Sequence, residues 1–433
     1  MCPSSSRLGP TAPTVAANPS PTADATALAS TVMTRCDVLA ECTEEPGRIT
    51  RRYATPALAA AQDLVAGWMR EAGLATRRDA VGNLIGRWDG DAPGAPAVLL
   101  GGHLDTVRDA GRYDGTLGVL TGLAVVERLR ARGPRLPVPI EVVAFADEEG
   151  LRFHTSYLGS RGFLGALDPA TLARMDETGL SVEQAIREAG GDPERAASGL
   201  SPGPYRAFIE AHIEQGPVLE ARGLPVGVVS AIAGQTRATL TFSGEAGHAG
   251  TVPMALRRDA LCAAAEFVLI AEQTARQTNG LVATIGQLAL EPGAGNVIPG
   301  RVTHSLDVRH ADDTIRRRAV AELLEQAKAI AERRQVELAV DVAGDNKAVA
   351  CDEALTDVLA SAIADAGWEV ARLVSGAGHD AAALSVAMPV AMLFVRCERG
   401  ISHNPAESVQ AEDVAVAIDV LTRAVERLAE TSG

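Results

Sequence analysis

The sequence predicts an α/β protein: a mostly parallel mixed sheet, covered by helices, interrupted by a smaller βαββαβ unit. Three observations carry this expectation. Apolar runs such as 97–102 and 138–146 read as strands buried on both faces, and they alternate with helix-period segments. From about residue 228 the pattern changes to half-exposed alternation, and the buried alternation resumes near 344. At 433 residues the chain also exceeds one ordinary domain.

Taken in order, residues 1–24 are rich in Ser, Pro, Thr and Ala, without a basic start or an apolar core. They are expected to form a disordered tail rather than a signal peptide. Residues 56–73 have helical periodicity and end at Gly73, a C-cap residue. Strands follow at 83–87 and 97–102, the second running into Gly101 and Gly102 as a buried strand does on entering a tight turn. A helix over 116–132, a strand over 138–146, a loop-like stretch at 190–205 and a strand over 206–212 continue the pattern. Residues 25–227 and 344–433 are assigned to this larger domain.

Residues 228–343 are assigned to the insert. There, 236–243 alternates as a half-exposed strand, 255–275 is an amphipathic helix, and 281–290 and 300–310 are strands. A charged helix (312–333) and a strand (335–342) complete a split βαβ unit with one open sheet face. A helix at 352–366, strands at 369–374 and 389–396, and a helix from 411 return to the larger domain.

Composition excludes several classes. The net charge of −15 leaves no basic stripe to meet phosphates, so nucleic acid is not an expected partner. The longest near-continuous apolar run, 387–395, is too short to span a bilayer, so no membrane partner is expected either. Six cysteines without a CxxC pair fit a reducing cytoplasm and no disulfide framework.

Chemistry-bearing residues cluster at strand ends. His103 and Asp105 follow the strand 97–102, and Asp114 precedes the next helix. Imidazole and carboxylate are ordinary ligands of zinc or manganese, and Asp105 can accept the far ring N–H of His103. Asp147, Glu148 and Glu149 follow the strand 138–146, His212 closes the strand 206–212, and His403 lies just beyond 389–396. Open parallel sheets place ligands along this rim. Two adjacent glutamates repel each other at one site unless a divalent cation takes one of them. The other is then free to act as general base and then general acid toward water that the cation has made more acidic.

The segments HLDTV, ADEEGLRF, HIEQGPVLE, GHAGTVPM, GNVIPGRVTHSLDVR and GISHNPAES resemble the dinuclear metallo-amidohydrolases of the aminoacylase and carboxypeptidase superfamily. Within it the chain is similar to the branch of allantoate amidohydrolases, N-carbamoyl-L-amino-acid hydrolases and β-ureidopropionases, in the same motif order from about residue 30 to the end. The resemblance implies a catalytic domain with an inserted ferredoxin-like domain through which the chain forms a homodimer. It implies two divalent ions per subunit, zinc or manganese with cobalt also admissible, held by His103, Asp114, Glu149, His212 and His403. Asp114 would bridge the ions, with His103 and His212 on one and Glu149 and His403 on the other.

Glu148 would be the general acid and base, Asp105 would orient His103, and His248 would stabilise the oxyanion after domain closure. Gln215, Asn296 and Arg309 match substrate-holding positions, with Gly378 in the glycine-rich loop 375–384 as a further contact. Arg309 also has an argument of its own: in THSLDVR it alternates with Leu306 and Val308, so it faces away from the helices, where it can grip a carboxylate with two parallel hydrogen bonds. The implied activity is metal-dependent hydrolysis of a ureido, carbamoyl or amide C–N bond in a small carboxylate-bearing substrate. The alternatives are a dipeptidase, aminoacylase or carboxypeptidase of the same superfamily, or a non-catalytic metal-stabilised binding protein. One departure stands out: Arg396-Cys397 replaces a frequent Pro-Ser pair just before GISHNP.

Overall fold

The computed structural model describes residues 19–92, 94–133, 135–199 and 203–430. Residues 1–18 of the expected tail lie outside the described residues. The chain is already helical from Ala23, in the helix Ala23–Ala40, which the sequence analysis did not anticipate. Its buried residues, Ala25, Ala29, Val32, Cys36 and Leu39, recur at helical spacing and make one narrow stripe. The stripe packs against the helices Thr116–Arg132 and Ala411–Glu430. Buried Arg128 fixes the arrangement with ion pairs of 2.8 Å to both Asp24 and Asp419. The helix Pro56–Glu71 begins as its sequence dictates, with Pro56 in the first turn and the Thr55 hydroxyl accepting from Leu58 N–H.

Two main sheets divide the strands. The larger contains β1 (Ala75–Arg78), β2 (Leu84–Trp88), β3 (Ala97–His103), β4 (Ile140–Phe145), β5 (Tyr205–Ile213) and β6 (Val226–Ile232). The smaller contains β7 (Gly234–Ser243), β9 (Val282–Thr284), β10 (Leu288–Glu291), β12 (Arg301–His310) and β13 (Glu337–Asn346), while β8 (Gly247–His248) and β11 (Val297–Ile298) pair only with each other. Then β14 (Val349–Ala350), β15 (Arg372–Ser375) and β16 (Val390–Val395) rejoin the larger sheet. Its order is β1-β2-β4-β3-β5-β16-β6-β14, with β15 also on β6. The centre, β4-β3-β5-β16, is parallel throughout, so four carboxyl ends emerge on one rim. Every residue of β3, β4 and β16 is buried, which explains their unbroken apolar runs.

The smaller sheet is antiparallel, ordered β10-β12-β7-β13 with β9 beside β12. Along β12 buried and half-exposed residues alternate, and the buried set (Val302, Leu306, Val308) packs with Leu240 and Phe242 against the helices Ala260–Gln277 and Asp313–Arg334. The other face is open. The chain leaves the larger sheet after Ile232 and returns to it at Val349. The segment 281–290, expected as one strand, is two short strands separated by Ile285–Gln287, because Ser305 Oγ accepts from the N–H groups of Gly286 and Gln287.

Candidate metal centre and active-site cavity

The register of the parallel strands assembles the site. His103 pairs with Phe145, so the segment 147–149 emerges beside it, and Gly101 pairs with Glu210, which sets His212 alongside His103. The two imidazole centroids lie 6.0 Å apart. Asp114 stands just before the helix Thr116–Arg132, at whose start Gly115 has φ +63°. A Cβ there would come within 2.3 Å of the His103 ring, so only glycine lets that helix approach.

Asp114 is the hub. Its Oδ1 is 3.1 Å from His212 Nε2 and 3.9 Å from His103 Nε2, while its Oδ2 is 3.1 Å from His403 Nε2. His403 Nε2 is also 3.3 Å from Glu149 Oε1. Ligand atoms of His103, Asp114 and His212 lie within 4.8 Å of one another, as do those of Asp114, Glu149 and His403 and those of His103, Glu148 and Glu149. A carboxylate facing two ligand groups, one per oxygen, fits a pair of cations. The donors are imidazole and carboxylate with no thiolate, a set that zinc, manganese and cobalt all accept.

The imidazoles are oriented for this. His103 Nδ1 bonds the Asp105 backbone carbonyl at 3.0 Å, and His212 Nδ1 bonds the Ile213 carbonyl at 2.9 Å, so each Nε2 points to Asp114. The Asp105 carboxylate, expected to orient His103, lies 3.4 Å from its Nδ1 and has a second set of partners as well. It accepts from the backbone N–H groups of Glu148 (2.9 Å) and Glu149 (3.0 Å), clamping both glutamates to the end of β3.

Burial opposes protonation of His103 and His212, but hydrogen bonding to Asp105 and Asp114 and the surrounding carboxylates outweigh it and raise both rings above the usual histidine value. Asp114 and Glu149 raise His403 to about 10. Burial pushes the Glu148 carboxyl well above the ordinary range; the charge of His103 opposes this, and that of Glu149 adds to it.

The cluster opens into a cavity of about 620 Å³. His103, Asp114, Glu148, Glu149, His212, Gln215, Arg309, Gly378 and His403 all line it. Gln215 Nε2 reaches Asp114 Oδ2 at 3.4 Å and Ser402 Oγ at 3.1 Å. Arg309 spans from the small sheet to the large one, donating to the Gly376 carbonyl at 2.6 Å and to both oxygens of Asp307 at 2.9 Å. His248 and Asn296 are not brought to the cavity. They stand together on the β8–β11 pair, both exposed, with Ala249 N–H donating to the Asn296 carbonyl. Arg396 and Cys397 do not line it either. Arg396 makes a two-pronged ion pair with Asp413 at 2.8 Å, and Cys397 is fully buried.

Sequence reasoning missed the groups behind the ligands. Glu407 accepts from the N–H groups of Tyr113 (2.8 Å) and Asp114 (3.1 Å) through Oε1 and from Ser402 Oγ (2.9 Å) through Oε2. It lies in GISHNPAES, four residues after His403, and that position was the available signal. His379 packs its ring 4.5 Å from that of His212 and bonds Ser375 Oγ at 2.6 Å; burial, reinforced by His212, keeps it neutral. Glu210 and Asp380 lie beside it, fully buried, with their carboxyls raised chiefly by burial.

Residues 99–427 match the model of peptidase family M20/M25/M40. The chain is 43% identical over 394 residues to an N-carbamoyl-L-amino acid amidohydrolase of Geobacillus stearothermophilus, covering 90% of this chain and 96% of that one. It is 40% identical over 408 residues to allantoate deiminase 1 of Glycine max, covering 87% and 84%. An amidase of the hydantoinase/carbamoylase family from Burkholderia multivorans superposes with TM-score 0.87 at 34% identity, covering 93% of this chain and 98% of that one. With a family match that spans most of its length and a strand-end cluster of histidines and carboxylates, the chain belongs to peptidase family M20/M25/M40.

Proposed function

We propose that this protein hydrolyses a carbamoyl or ureido C–N bond in a small carboxylate-bearing substrate, of the allantoate or N-carbamoyl amino acid type. The observation that carries the reading is Asp114, whose two oxygens face two separate ligand groups, with Glu148 beside them. His103 and His212 would hold one divalent cation and Glu149 and His403 the other, with Asp114 shared. When bound, the cations supply Lewis acidity and make nearby water more acidic.

Glu148 takes a proton from the attacking water and delivers it to the departing nitrogen. Burial raises the Glu148 carboxyl, which favours its holding the transferred proton. For a carbamoyl substrate, water and R–NH–CO–NH₂ give R–NH₂, carbon dioxide and ammonia. Arg309 would receive the substrate carboxylate, with Gln215, Asn296 and the Gly378 loop completing the grip. Asp105 holds Glu148 and Glu149 in place through their amides.

The split between the two sheets supports reading residues 228–343 as an inserted dimerisation domain and the rest as the catalytic one. Its open sheet face and the exposed edge strand β10 support a homodimer. His248 would reach the reacting carbonyl oxygen by domain closure. Five unpaired cysteines among the described residues fit a cytoplasmic setting. The test is turnover by protein reconstituted with zinc, manganese or cobalt, read as ammonia release from N-carbamoyl amino acids and diureido carboxylates and as released free amino acid from N-acyl amino acids and dipeptides. Turnover confined to the last two groups would overturn the reading.

A further inference from the structure

The cavity is lined by the ligand cluster, by Arg309 and by Tyr157. Tyr157 donates its backbone N–H to the Glu148 carbonyl at 2.9 Å, which ties it to the cluster. Its hydroxyl oxygen lies over Gly378, where a Cβ would come within 1.9 Å of it. Gly378 is two residues from Gly376, whose carbonyl Arg309 holds. The hydroxyl makes no hydrogen bond to any described residue. Burial, and next the charge of Glu148, keep the phenol well above its ordinary pKa, so it remains a neutral group able both to donate and to accept.

The backbone adds a second observation. Tyr157 has φ +63° and ψ +27°, the left-handed region, which is unfavourable for a bulky residue and is commonest where a side chain has work to do. Glycine would meet the backbone requirement more easily, so the ring is not there for the turn.

We propose that Tyr157 is a specificity-determining residue whose hydroxyl hydrogen-bonds a polar branch on the substrate carbon between the carboxylate and the scissile nitrogen. A second ureido group or a hydroxyl satisfies it, whereas an alkyl branch buries it unpaired. The favoured substrates are therefore carboxylates with a polar branch, rather than carbamoyl amino acids with aliphatic side chains. This rests on the hydrolytic reading above, with the carboxylate at Arg309.

The test compares wild type with Tyr157→Phe, which keeps the ring and removes one oxygen. Two substrates are used: a diureido carboxylate and an N-carbamoyl amino acid with an alkyl side chain. The expected result is a loss of about five- to tenfold in kcat/KM on the diureido substrate, mostly through KM, with the alkyl substrate unchanged or improved, since the hydroxyl it would bury unpaired is gone. Equal losses on both substrates, or no loss on the diureido one, overturn the assignment of Tyr157 while leaving the reaction standing. A wild type that hydrolyses neither compound overturns the reaction and this assignment with it.

Discussion

Glu407 reaches the cation site only indirectly, through the Asp114 backbone amide and through Ser402, whose hydroxyl lies 3.5 Å from Asp114 Oδ2, yet it should control cation affinity. Its side chain is almost out of solvent, 5% exposed, and it accepts from two backbone N–H groups and one hydroxyl. Glu407→Ala leaves the Tyr113 and Asp114 amides buried without an acceptor, at about 1–3 kcal/mol each. The sum is roughly 2–6 kcal/mol, toward the lower end if water enters the vacated space. Glu407→Gln keeps one oxygen for both amides, and its NH₂ meets Ser402 Oγ, which can accept instead of donate; only the charge assistance is lost, about 1 kcal/mol. Cation affinity, measured by competition with a chromogenic chelator, should fall about 10–100-fold in the alanine variant and much less in the glutamine variant. Apparent melting temperature of the cation-free protein should follow the same order, by about 2–4 °C per kcal/mol. An alanine variant that binds as tightly as wild type would refute the reasoning. A glutamine variant as damaged as alanine would show that the charge matters and the amide bonds do not.

Four further outcomes are expected. Glu148→Gln should retain its cations by metal analysis and lose at least about 10²–10⁴-fold in turnover; an active variant removes Glu148 from the proton-transfer role. Arg309→Lys should raise KM for carboxylate substrates far more than for neutral amides, because lysine keeps the charge and loses the fork that also grips Asp307. His403, raised to about 10, and His103 and His212, also raised, must give up protons to bind cations. Affinity should therefore strengthen as pH rises from about 6 to 9, with proton release in calorimetry, and a flat profile would exclude this competition. His248→Ala should depress kcat with cation content unchanged, and light scattering should report a dimer in wild type and variant alike; an effect on KM alone would assign His248 to substrate binding.

How much of this was legible in the chain differs from residue to residue. The rim could be read directly from the residues. His103, Glu148, Glu149 and His212 each end or closely follow an apolar run, and parallel strands deliver such ends to one side whatever the rest of the fold does. Arg309's direction followed equally from period-two alternation in β12. The helix Ala23–Ala40 was missed because its stripe has only two sizeable aliphatic residues, Val32 and Leu39, beside Ala25, Ala29 and Cys36, whose small side chains give little hydrophobic contrast although they pack fully. What stands behind the ligands depends on long-range packing. Glu407 reaches the Tyr113 amide across 294 positions, and no local spacing encodes that meeting. The Asp105 carboxylate, beside the imidazole it neighbours in sequence, also accepts from the two amides of Glu148 and Glu149, more than forty positions away, since buried backbone donors must find acceptors. His248 and Asn296 carry a clear motif and yet stand outside the cavity, because a motif records which residues are present, and the packing of two sheets sets where they meet.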